Sequence, residues 1–224
     1  MSVWAVLAAA GRGERLGSDR PKAFARLGEL PLLAEPLRRL DESDWIEQIV
    51  VAAPPEWEEP AILLAEELGA GKVGSVVTGG ASRSESVRLA LAEVADDAAV
   101  VVVHDAARPL VPEDVIERLL IPLGEGWDGV VPGLPVSDTV KRVEGERVVE
   151  TLPRGELVAV QTPQAFVASA LRGALGGDVS GASDCASLVE ARGGRVKVVG
   201  GDRRLLKVTS TDDLALVEAW LAEA

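Results

Sequence analysis

Short apolar runs alternate along this chain with longer segments in which apolar residues recur at helical spacing. Residues 3–7, 49–53 and 100–103 are the clearest short runs, and the last is four consecutive valines. An uninterrupted run of β-branched residues is typical of a strand that is covered on both faces. Because alternating strands and helices build a parallel sheet with helices on both sides, the pattern predicts an α/β fold.

The same pattern places the other elements. Strands are predicted at residues 73–78 and 196–199, and helices at 32–40, 57–68, 82–94, 165–174, 183–192 and 211–222. Ser82 and Glu85 have the spacing of a capping box, and Thr211 is the candidate N-cap of the last helix. With 224 residues, the chain is expected to form a single domain.

The alternation is interrupted between residues 130 and 163. Residues 136–143 and 147–152 are predicted to be two strands joined by a turn at Glu144-Gly145-Glu146, with no helix between them. Such a hairpin would protrude from the sheet as a β-arm, at about residues 134–160. Since an arm of this kind has few neighbours in its own chain, we expect it to pack against a second copy of the protein.

Composition limits the partners and the compartment. The chain has 36 acidic and 23 basic residues, and a nucleic-acid surface needs a basic face, so nucleic acid is not expected as a partner. One cysteine and one histidine exclude an internal disulfide and a Cys/His zinc site. No apolar run approaches 18 residues and no basic n-region follows Met1. We therefore expect neither a membrane span nor a signal peptide, and a cytoplasmic location.

The stretch from residue 8 to residue 22, AAAGRGERLGSDRPK, is the first candidate site. Gly11 and Gly13 would let its backbone turn tightly and present N–H groups, as a phosphate-binding loop requires. Four cationic side chains add positive charge at the same place: Arg12, Arg15, Arg20 and Lys22. We expect an anion to bind here; an ordinary strand-to-helix turn with solvated arginines is the alternative.

Two standard phosphate motifs do not fit this loop. In the dinucleotide fingerprint the third glycine would fall at Leu16, whereas Gly17 comes one residue later. In a Walker loop the lysine follows a glycine and precedes Ser or Thr, whereas Lys22 follows Pro21 and precedes Ala23. The glycine spacing therefore argues against an NAD-binding oxidoreductase.

The segment HDAARP, residues 104–109, directly follows the valine run. Ligands of open parallel sheets bind beyond the carboxyl ends of the strands, so this segment is expected to face the same edge as the glycine loop. Asp105 is well placed to hold Mg²⁺ that bridges nucleotide phosphates, and Arg108 could pair with an anion or orient Asp105. A structural Asp–Arg pair is the alternative. His104 is predicted to be hydrogen-bonded scaffold, because no Ser or Cys nucleophile accompanies it in a recognisable setting.

Other positions carry weaker signals. Residues 79–86, GGASRSES, could contact a base or ribose, or could simply begin a helix. Lys207, in the strand-like run LLKV, must reach either water or an anion. Thr139, Lys141 and Arg154 lie on the predicted arm, where charges are usually solvated.

The motifs occur along the chain in the order AAAGRGERLG, RPK, GGASRSES, HDAARP, VSDTVK, QTPQAF and LLKVTSTDDLALVE. In this order they closely resemble the 2-C-methyl-D-erythritol 4-phosphate cytidylyltransferases of the non-mevalonate isoprenoid pathway, over residues 3–221. The resemblance implies a Rossmann-like, mostly parallel sheet of the nucleotide-diphospho-sugar transferase type and a homodimer formed through the β-arm. It also implies transfer of CMP from CTP to an acceptor phosphate with release of diphosphate, with Mg²⁺ or another divalent cation as cofactor.

The resemblance further implies roles for individual residues. Arg15 and Lys22 would stabilise the α-phosphate as it becomes five-coordinate, and Asp105 would bind the metal. The nucleotide contacts would be Ala9, Ala10, Gly11, Gly13, Gly80, Arg83, Ser86 and Asp105. The acceptor contacts would be Asp105, Ala106, Arg108, Thr139, Arg154 and Lys207, with Thr139 and Arg154 reaching across the dimer. Arg154 and Lys207 would be catalytic by positioning the acceptor.

Some positions depart from the family pattern. Cys185 stands where an acidic residue is common, which leaves Asp184 as the carboxylate of that pair. Leu205 and Leu206 replace an Asn-Ile pair before Lys207, and Asp202 is the remaining candidate for a second metal-contacting acid.

Two other functions stay open at this point. A ribitol 5-phosphate cytidylyltransferase would share most of these motifs and differ in its acceptor pocket. A nucleotide-binding module without catalysis would keep the glycine loop but need not keep Arg15, Lys22, Asp105 and Lys207 together.

Overall fold

The computed structural model describes residues 2–11, 13 and 19–223. Its strands are β1 (Val3–Ala8), β2 (Arg26–Leu27), β3 (Leu30–Pro31), β4 (Gln48–Ala53), β5 (Val73–Thr78), β6 (Val100–Asp105), β7 (Gly129–Pro135), β8 (Val140–Glu144), β9 (Arg147–Leu152), β10 (Val158–Val160), β11 (Gln164–Val167) and β12 (Val196–Gly200). Its α-helices are α1 (Ala34–Glu42), α2 (Glu58–Leu68), α3 (Arg83–Leu91), α4 (Glu113–Leu120), α5 (Ala168–Leu175), α6 (Cys185–Ala191) and α7 (Thr211–Ala222).

Eight strands form the central sheet, with β6, β1, β4 and β5 parallel to one another in that order. β1 lies between β6 and β4, and Ala8 at its end is opposite both Asp105 and Ala52. The strand ends of β1, β4 and β6 therefore meet at one edge of the sheet. The predicted α/β fold with a mostly parallel sheet is confirmed.

The valine run of β6 is buried on both faces, as predicted. Val100 and Val102 pack into one hydrophobic cluster, and Val101 and Val103 pack into the other. Because successive side chains of a strand point to opposite faces, one strand contributes to both layers of the core. The layer that contains Val100 also holds apolar residues of α1, α2 and α4, and the layer that contains Val101 holds those of α3, α5 and α6.

The predicted helix at residues 165–174 is wrong at its start. Residues Gln164–Val167 form β11, which runs antiparallel to both β6 and β7 and lies between them. Ala165 and Phe166 are fully buried and lie in different hydrophobic clusters, which is the two-residue period of a strand. The helix begins only at Ala168.

Two predicted helix caps need correction. Ser82 accepts a hydrogen bond from the Glu85 N–H, but the Glu85 carboxylate accepts from the Ala81 N–H, so the reciprocal bond of a capping box is not made to Ser82. The N-cap of α7 is Ser210 and not Thr211, because Ser210 and Asp213 form a complete capping box. Hydrogen bonds from Thr209 and Ser210 lower the pKa of Asp213 to about 2.

The predicted hairpin is observed, although its first strand starts at Val140 and not at residue 136. Residues 134–135 and 158–160, at the two ends of the predicted arm, belong to β7 and β10 of the central sheet. Within the described residues, β8 and β9 pair with each other alone, in a two-stranded antiparallel sheet, and Gly145 in the connecting turn has φ +59°. The pair exposes large apolar side chains, since Val143 is 55% and Val148 is 53% exposed. In the described part of the chain, no helix has the length and apolar character needed to cross a membrane.

Candidate active site

A cavity of about 1020 Å³ opens at the edge of the sheet where β1, β4 and β6 end. It is lined by residues from the loops that follow β1, β5 and β6, and from the connection before α7. The predicted site residues that line it are Ala9, Ala10, Gly11, Gly13, Lys22, Gly80, Arg83, Ser86, Asp105, Ala106 and Lys207. The fold thus brings together motifs from distant parts of the chain. Arg12 and Arg15 lie outside the described residues.

The described part of the loop after β1 is held close to Lys22. Gly11 accepts a hydrogen bond from the Lys22 N–H through its carbonyl, at 3.3 Å. Gly13 has φ +71°, and a Cβ on it would lie 2.5 Å from the Cβ of Lys22. A side chain at position 13 would therefore be strained and would push Lys22 away. The glycine lets Lys22 lie directly beside the loop that lines the cavity.

The loop after β5 packs against the same wall. A Cβ on Gly79 would lie 2.2 Å from the Cβ of Ala10, so only glycine permits this approach. Ser86 orders the next residue, because its Oγ accepts a hydrogen bond from the Gly80 N–H at 3.0 Å and donates to the Ser82 carbonyl at 2.8 Å. Two glycine-containing loops thus stand side by side on one wall of the cavity.

A cluster of three charged side chains lies at the end of β6. Arg83 Nε donates to Asp105 Oδ1 at 2.6 Å, and Lys207 Nζ donates to Asp105 Oδ2 at 2.7 Å. The Asp105 side chain is only 9% exposed. Burial alone would raise the pKa of Asp105, but the charges and hydrogen bonds of Arg83 and Lys207 outweigh it and hold this pKa well below its usual range. Asp105 is therefore an ionised carboxylate shared by two cations.

His104 is scaffold, as predicted. It is fully buried, and burial lowers its pKa to about 4, so the ring is neutral near pH 7. Because a carbonyl can only accept, Nε2 must donate to the Arg108 carbonyl at 2.9 Å, and Nδ1 then accepts from Thr162 Oγ1 at 3.2 Å. Thr162 Oγ1 accepts in turn from the Asp105 N–H at 3.1 Å. This chain of hydrogen bonds fixes the backbone of Asp105.

Arg108 does not pair with Asp105. Its Nη1 donates to the Leu205 carbonyl at 2.5 Å, and its Nε is a buried donor without a hydrogen-bond partner in the described structure. Burial lowers the pKa of this guanidinium. Among the described residues it lines neither this cavity nor the smaller one beside it, so its contact with an acceptor stays a prediction.

A second cavity, of about 180 Å³, adjoins the first at the charged cluster. Arg83, Asp105 and Lys207 line both cavities. The smaller one is otherwise mostly polar, and the residues that complete it are Val160, Gln161, Thr162, Gln164, Ser183 and Asp184. Gln161, Thr162 and Gln164 are site residues that the sequence alone did not predict, although they belong to the motif QTPQAF that carries part of the resemblance.

Asp184, Cys185 and Asp202 were noted above as departures from the family pattern or as candidate acids. Their surroundings in the structure differ. Asp184 is the N-cap of α6, and its carboxylate also accepts from Gln164 Nε2 at 2.8 Å. Cys185 is fully buried and burial raises the pKa of its thiol, to which Arg83 Nη1 donates at 3.6 Å. Asp202 pairs with Arg204 and lines neither described cavity, so its position does not favour a role as metal ligand.

The predicted arm residues lie apart from both cavities in a single chain. Thr139 is exposed just before β8, and Arg154 Nη1 donates to the Ser137 carbonyl at 2.6 Å. Within the described residues, neither of them lines a cavity. The run at residues 205–208 is not a strand as expected. Leu205 is the last residue of the 3₁₀ helix Arg203–Leu205, and the Val208 N–H makes a single main-chain hydrogen bond to Ala107.

Comparisons with known proteins show similarity along almost the whole chain. A family model described as 2-C-methyl-D-erythritol 4-phosphate cytidylyltransferase matches residues 3–223. Curated relatives of that name are 46% identical in Frankia casuarinae, over 98% of this chain and 81% of the relative, and 46% identical in Saccharopolyspora erythraea, over 99% and 100%. The crystal structure of the Thermus thermophilus protein of that name has TM-score 0.77 at 35% identity, covering 98% of each chain.

A crystal structure of a 4-diphosphocytidyl-2C-methyl-D-erythritol synthase gives TM-score 0.82 at 30% identity, again over 98% of each chain. The family model and the relatives therefore span almost all of the sequence, and the solved structures share its α/β fold. The chain belongs to the 2-C-methyl-D-erythritol 4-phosphate cytidylyltransferase family.

Proposed function

We propose that the two cavities divide the substrates of the cytidylyltransferase reaction between them. The reaction transfers CMP from CTP to 2-C-methyl-D-erythritol 4-phosphate and gives 4-diphosphocytidyl-2-C-methyl-D-erythritol and diphosphate. The larger cavity would hold CTP, and the smaller one the acceptor. The single observation that supports this division is that Arg83, Asp105 and Lys207 line both cavities, so that the reacting phosphates would meet at this cluster.

The glycine loops would bind the nucleotide. The N–H groups of Gly11 and Gly13 have no side chain of their own in the way, and Lys22 lies beside Gly13. Gly80 would contact the nucleotide from the neighbouring loop, where its N–H is held by Ser86 Oγ. Arg15 would add a second cation at the α-phosphate. Phosphoryl-type transfer depends mostly on positioning and charge stabilisation, and this set of residues supplies both.

The chemical step needs no general base. An anionic oxygen of the acceptor phosphate attacks the α-phosphorus of CTP and forms a new P–O bond. The bond from the α-phosphorus to the oxygen bridging it to the β-phosphorus breaks, and diphosphate leaves with the electron pair. Because the nucleophile is already an anion, the neutral and fully buried His104 can serve as scaffold alone.

The residues present fit a magnesium ion that is bound together with the triphosphate. In nucleotide sites Mg²⁺ is usually held by one or two carboxylates, phosphate oxygens and water. Asp105 is ionised, and Arg83 and Lys207 each use one acceptor position on its oxygens, whereas a carboxylate offers about four such positions. Asp105 would hold the ion, which would neutralise charge on the phosphates. The described residues contain no cluster of three or more His, Cys, Asp or Glu side chains suited to a metal, so the phosphates would complete the coordination.

Lys207 would bind the acceptor phosphate, and Asp105, which lines both cavities, would contact the acceptor as well. Ala106, which lines only the larger cavity, and Arg108, which lines neither, stay predicted acceptor contacts. The small, largely polar cavity beside Lys207 suits a polyol, because its side chains can exchange hydrogen bonds with several hydroxyl groups.

Diphosphate release should be measured with CTP and Mg²⁺ against a panel of polyol phosphates. We expect 2-C-methyl-D-erythritol 4-phosphate to be used best. Preferred use of ribitol 5-phosphate would contradict the proposed acceptor, and no release with any polyol phosphate would contradict the division of the cavities.

We also propose that the arm brings Thr139 and Arg154 to the site of a second subunit in a homodimer. Support comes from the exposed apolar surface of the arm, where Val143 and Val148 are each more than half exposed in one chain. The proposal predicts that inactive chains can complement each other.

Mixing Lys207→Ala with Arg154→Ala chains gives heterodimers in which one site has both native side chains. About a quarter of the wild-type activity should return, because half of the randomly paired dimers would each hold one intact site. Each variant alone is the control. If the mixture were no more active than the separate variants, Arg154 would act within its own chain or not at all.

A further inference from the structure

The side chain of Gln161 holds the main chain of Asp202 through two hydrogen bonds. Its Nε2 donates to the Asp202 carbonyl at 2.8 Å, and its Oε1 accepts from the Asp202 N–H at 3.1 Å. Gln161 is 6% exposed, and its own N–H donates to the Pro132 carbonyl on β7 at 2.8 Å. A buried amide that pairs with both main-chain groups of one residue fixes where that residue lies and which way it faces.

Gly201 lets the chain come this close. Its N–H donates to the Gly133 carbonyl at 2.9 Å. A Cβ at this position would lie 2.3 Å from Gln161 Oε1 and 3.0 Å from the Gly133 carbonyl carbon. The chain that leaves β12 is therefore pressed between Gln161 and β7, and only glycine fits there without displacing one of them.

Asp202 begins the short connection that carries Lys207. It is the N-cap of the 3₁₀ helix Arg203–Leu205, where its carboxylate accepts from the Arg204 N–H at 2.7 Å. At the other end, the Val208 N–H donates to the Ala107 carbonyl at 2.8 Å. Lys207 thus extends from a segment that is fixed on both sides, and its Nζ reaches Asp105.

We propose that Gln161 is a positioning residue for Lys207, because by holding Asp202 it fixes the connection from which Lys207 reaches the reacting phosphates. This inference rests on the acceptor role proposed above for Lys207. Gln161 also lines the smaller cavity, so a direct contact with the acceptor is the competing explanation. Both polar groups of the Gln161 amide already bond to the main chain of Asp202, which favours the positioning role over a direct contact with the acceptor.

The first test replaces Gln161 with leucine, which is similar in size and removes both hydrogen bonds. We expect kcat/KM for the acceptor to fall about tenfold, since two hydrogen bonds are lost and two main-chain groups lose their partners. The Kd for CTP, measured by calorimetry, should stay within about twofold, because Gln161 does not line the larger cavity. Gln48→Leu, at the opposite end of the strands in β4, is the matched control and should behave as wild type.

Folding is checked by thermal unfolding of each variant. If Gln161→Leu does not fold, Gln161→Glu takes its place, because it keeps an acceptor for the Asp202 N–H but has no donor for the Asp202 carbonyl. It should show a loss in the same direction. Wild-type acceptor kinetics in a folded variant at position 161 would overturn the inference.

A double-mutant cycle separates positioning from direct contact. If Gln161 acts only through Lys207, adding Gln161→Leu to Lys207→Ala should change acceptor kcat/KM by no more than about twofold. A further tenfold loss in that background would show direct contact and overturn the inference. Wild-type acceptor kinetics in Lys207→Ala alone would instead refute the role proposed for Lys207. A loss in Lys207→Ala with none in Gln161→Leu would refute the positioning role alone.

Discussion

Replacing Arg83 with methionine tests the charged cluster at the end of β6. The substitution keeps most of the side-chain length and removes the cation that donates to Asp105 Oδ1 at 2.6 Å. Breaking a buried ion pair usually lowers the free energy of unfolding by about 3–5 kcal/mol, because one charge is left without a partner. Lys207 still pairs with Asp105 in this variant, so we expect a smaller loss of about 2 kcal/mol at pH 7.

The stability loss should depend on pH in a defined direction. In the folded protein the pKa of Asp105 lies well below its usual range, so the group stabilises the fold above the unfolded pKa of about 3.9 and loses that contribution as pH falls below it. Without Arg83, the folded pKa of Asp105 moves up toward the unfolded value. The difference between wild type and Arg83→Met should therefore be complete above about pH 5 and become smaller between pH 4 and pH 3.

Urea unfolding followed by circular dichroism, at pH 7 and at pH 3.5, measures this difference. Arg88→Met is the matched control on the same helix, since Arg88 makes only a surface pair with Glu85 at 3.6 Å and its side chain is half exposed. It should change stability by less than about 1 kcal/mol at either pH. Equal stability of Arg83→Met and wild type at pH 7, or a gap that does not narrow on acidification, would refute the reasoning.

Three further predictions concern the loops, the nucleotide and the last helix. Lys22→Ala should lower kcat about 100-fold or more, far more than it lowers the affinity for CTP, because a charge-stabilising donor is lost; near-wild-type turnover in steady-state assays would exclude Lys22 from the mechanism. Gly79→Ala should weaken CTP binding in calorimetry, because the new Cβ would lie 2.2 Å from the Cβ of Ala10, whereas Gly71→Ala, with nothing within 4 Å, should not. Ser210→Ala should lower the free energy of unfolding by about 1 kcal/mol through the lost N-cap of α7; an unchanged denaturation midpoint would contradict the assigned cap.

Strands could be predicted from the sequence where they are buried on both faces, because nearly every residue of such a strand is apolar. The valine run of β6 is the clearest case, and β1 and β4 follow the same rule. β11 could not be separated from α5, because three buried residues and the partly buried Val167 lead directly into the helix, and the apolar patterns of the two elements merge. No helix was predicted at α4, although Glu113 and Asp114 in its first turn are a recognised signal of a helix start.

The site was predicted in its parts but not in its contacts. Arg83, Asp105 and Lys207 were each candidates, yet the ion pairs that join them span 22 and 102 residues of sequence. No local pattern encodes such a pairing, because it depends on how the strands are ordered in the sheet. Gln161 was missed for a related reason, since its partners are the main-chain N–H and carbonyl of residue 202, which any residue except proline would supply.

The central place of β1 in the sheet has a consequence for ligand binding. Its last residue, Ala8, is in register with Asp105 at the end of β6 and with Ala52, one residue before the end of β4, so the described wall of the larger cavity rests on a hydrogen-bonded sheet that exists before any substrate arrives. The residues of that wall lose their conformational entropy when the chain folds, so binding of a nucleotide does not carry that cost. In the proposed CTP site, more of the interaction energy is then left to orient the phosphates for reaction.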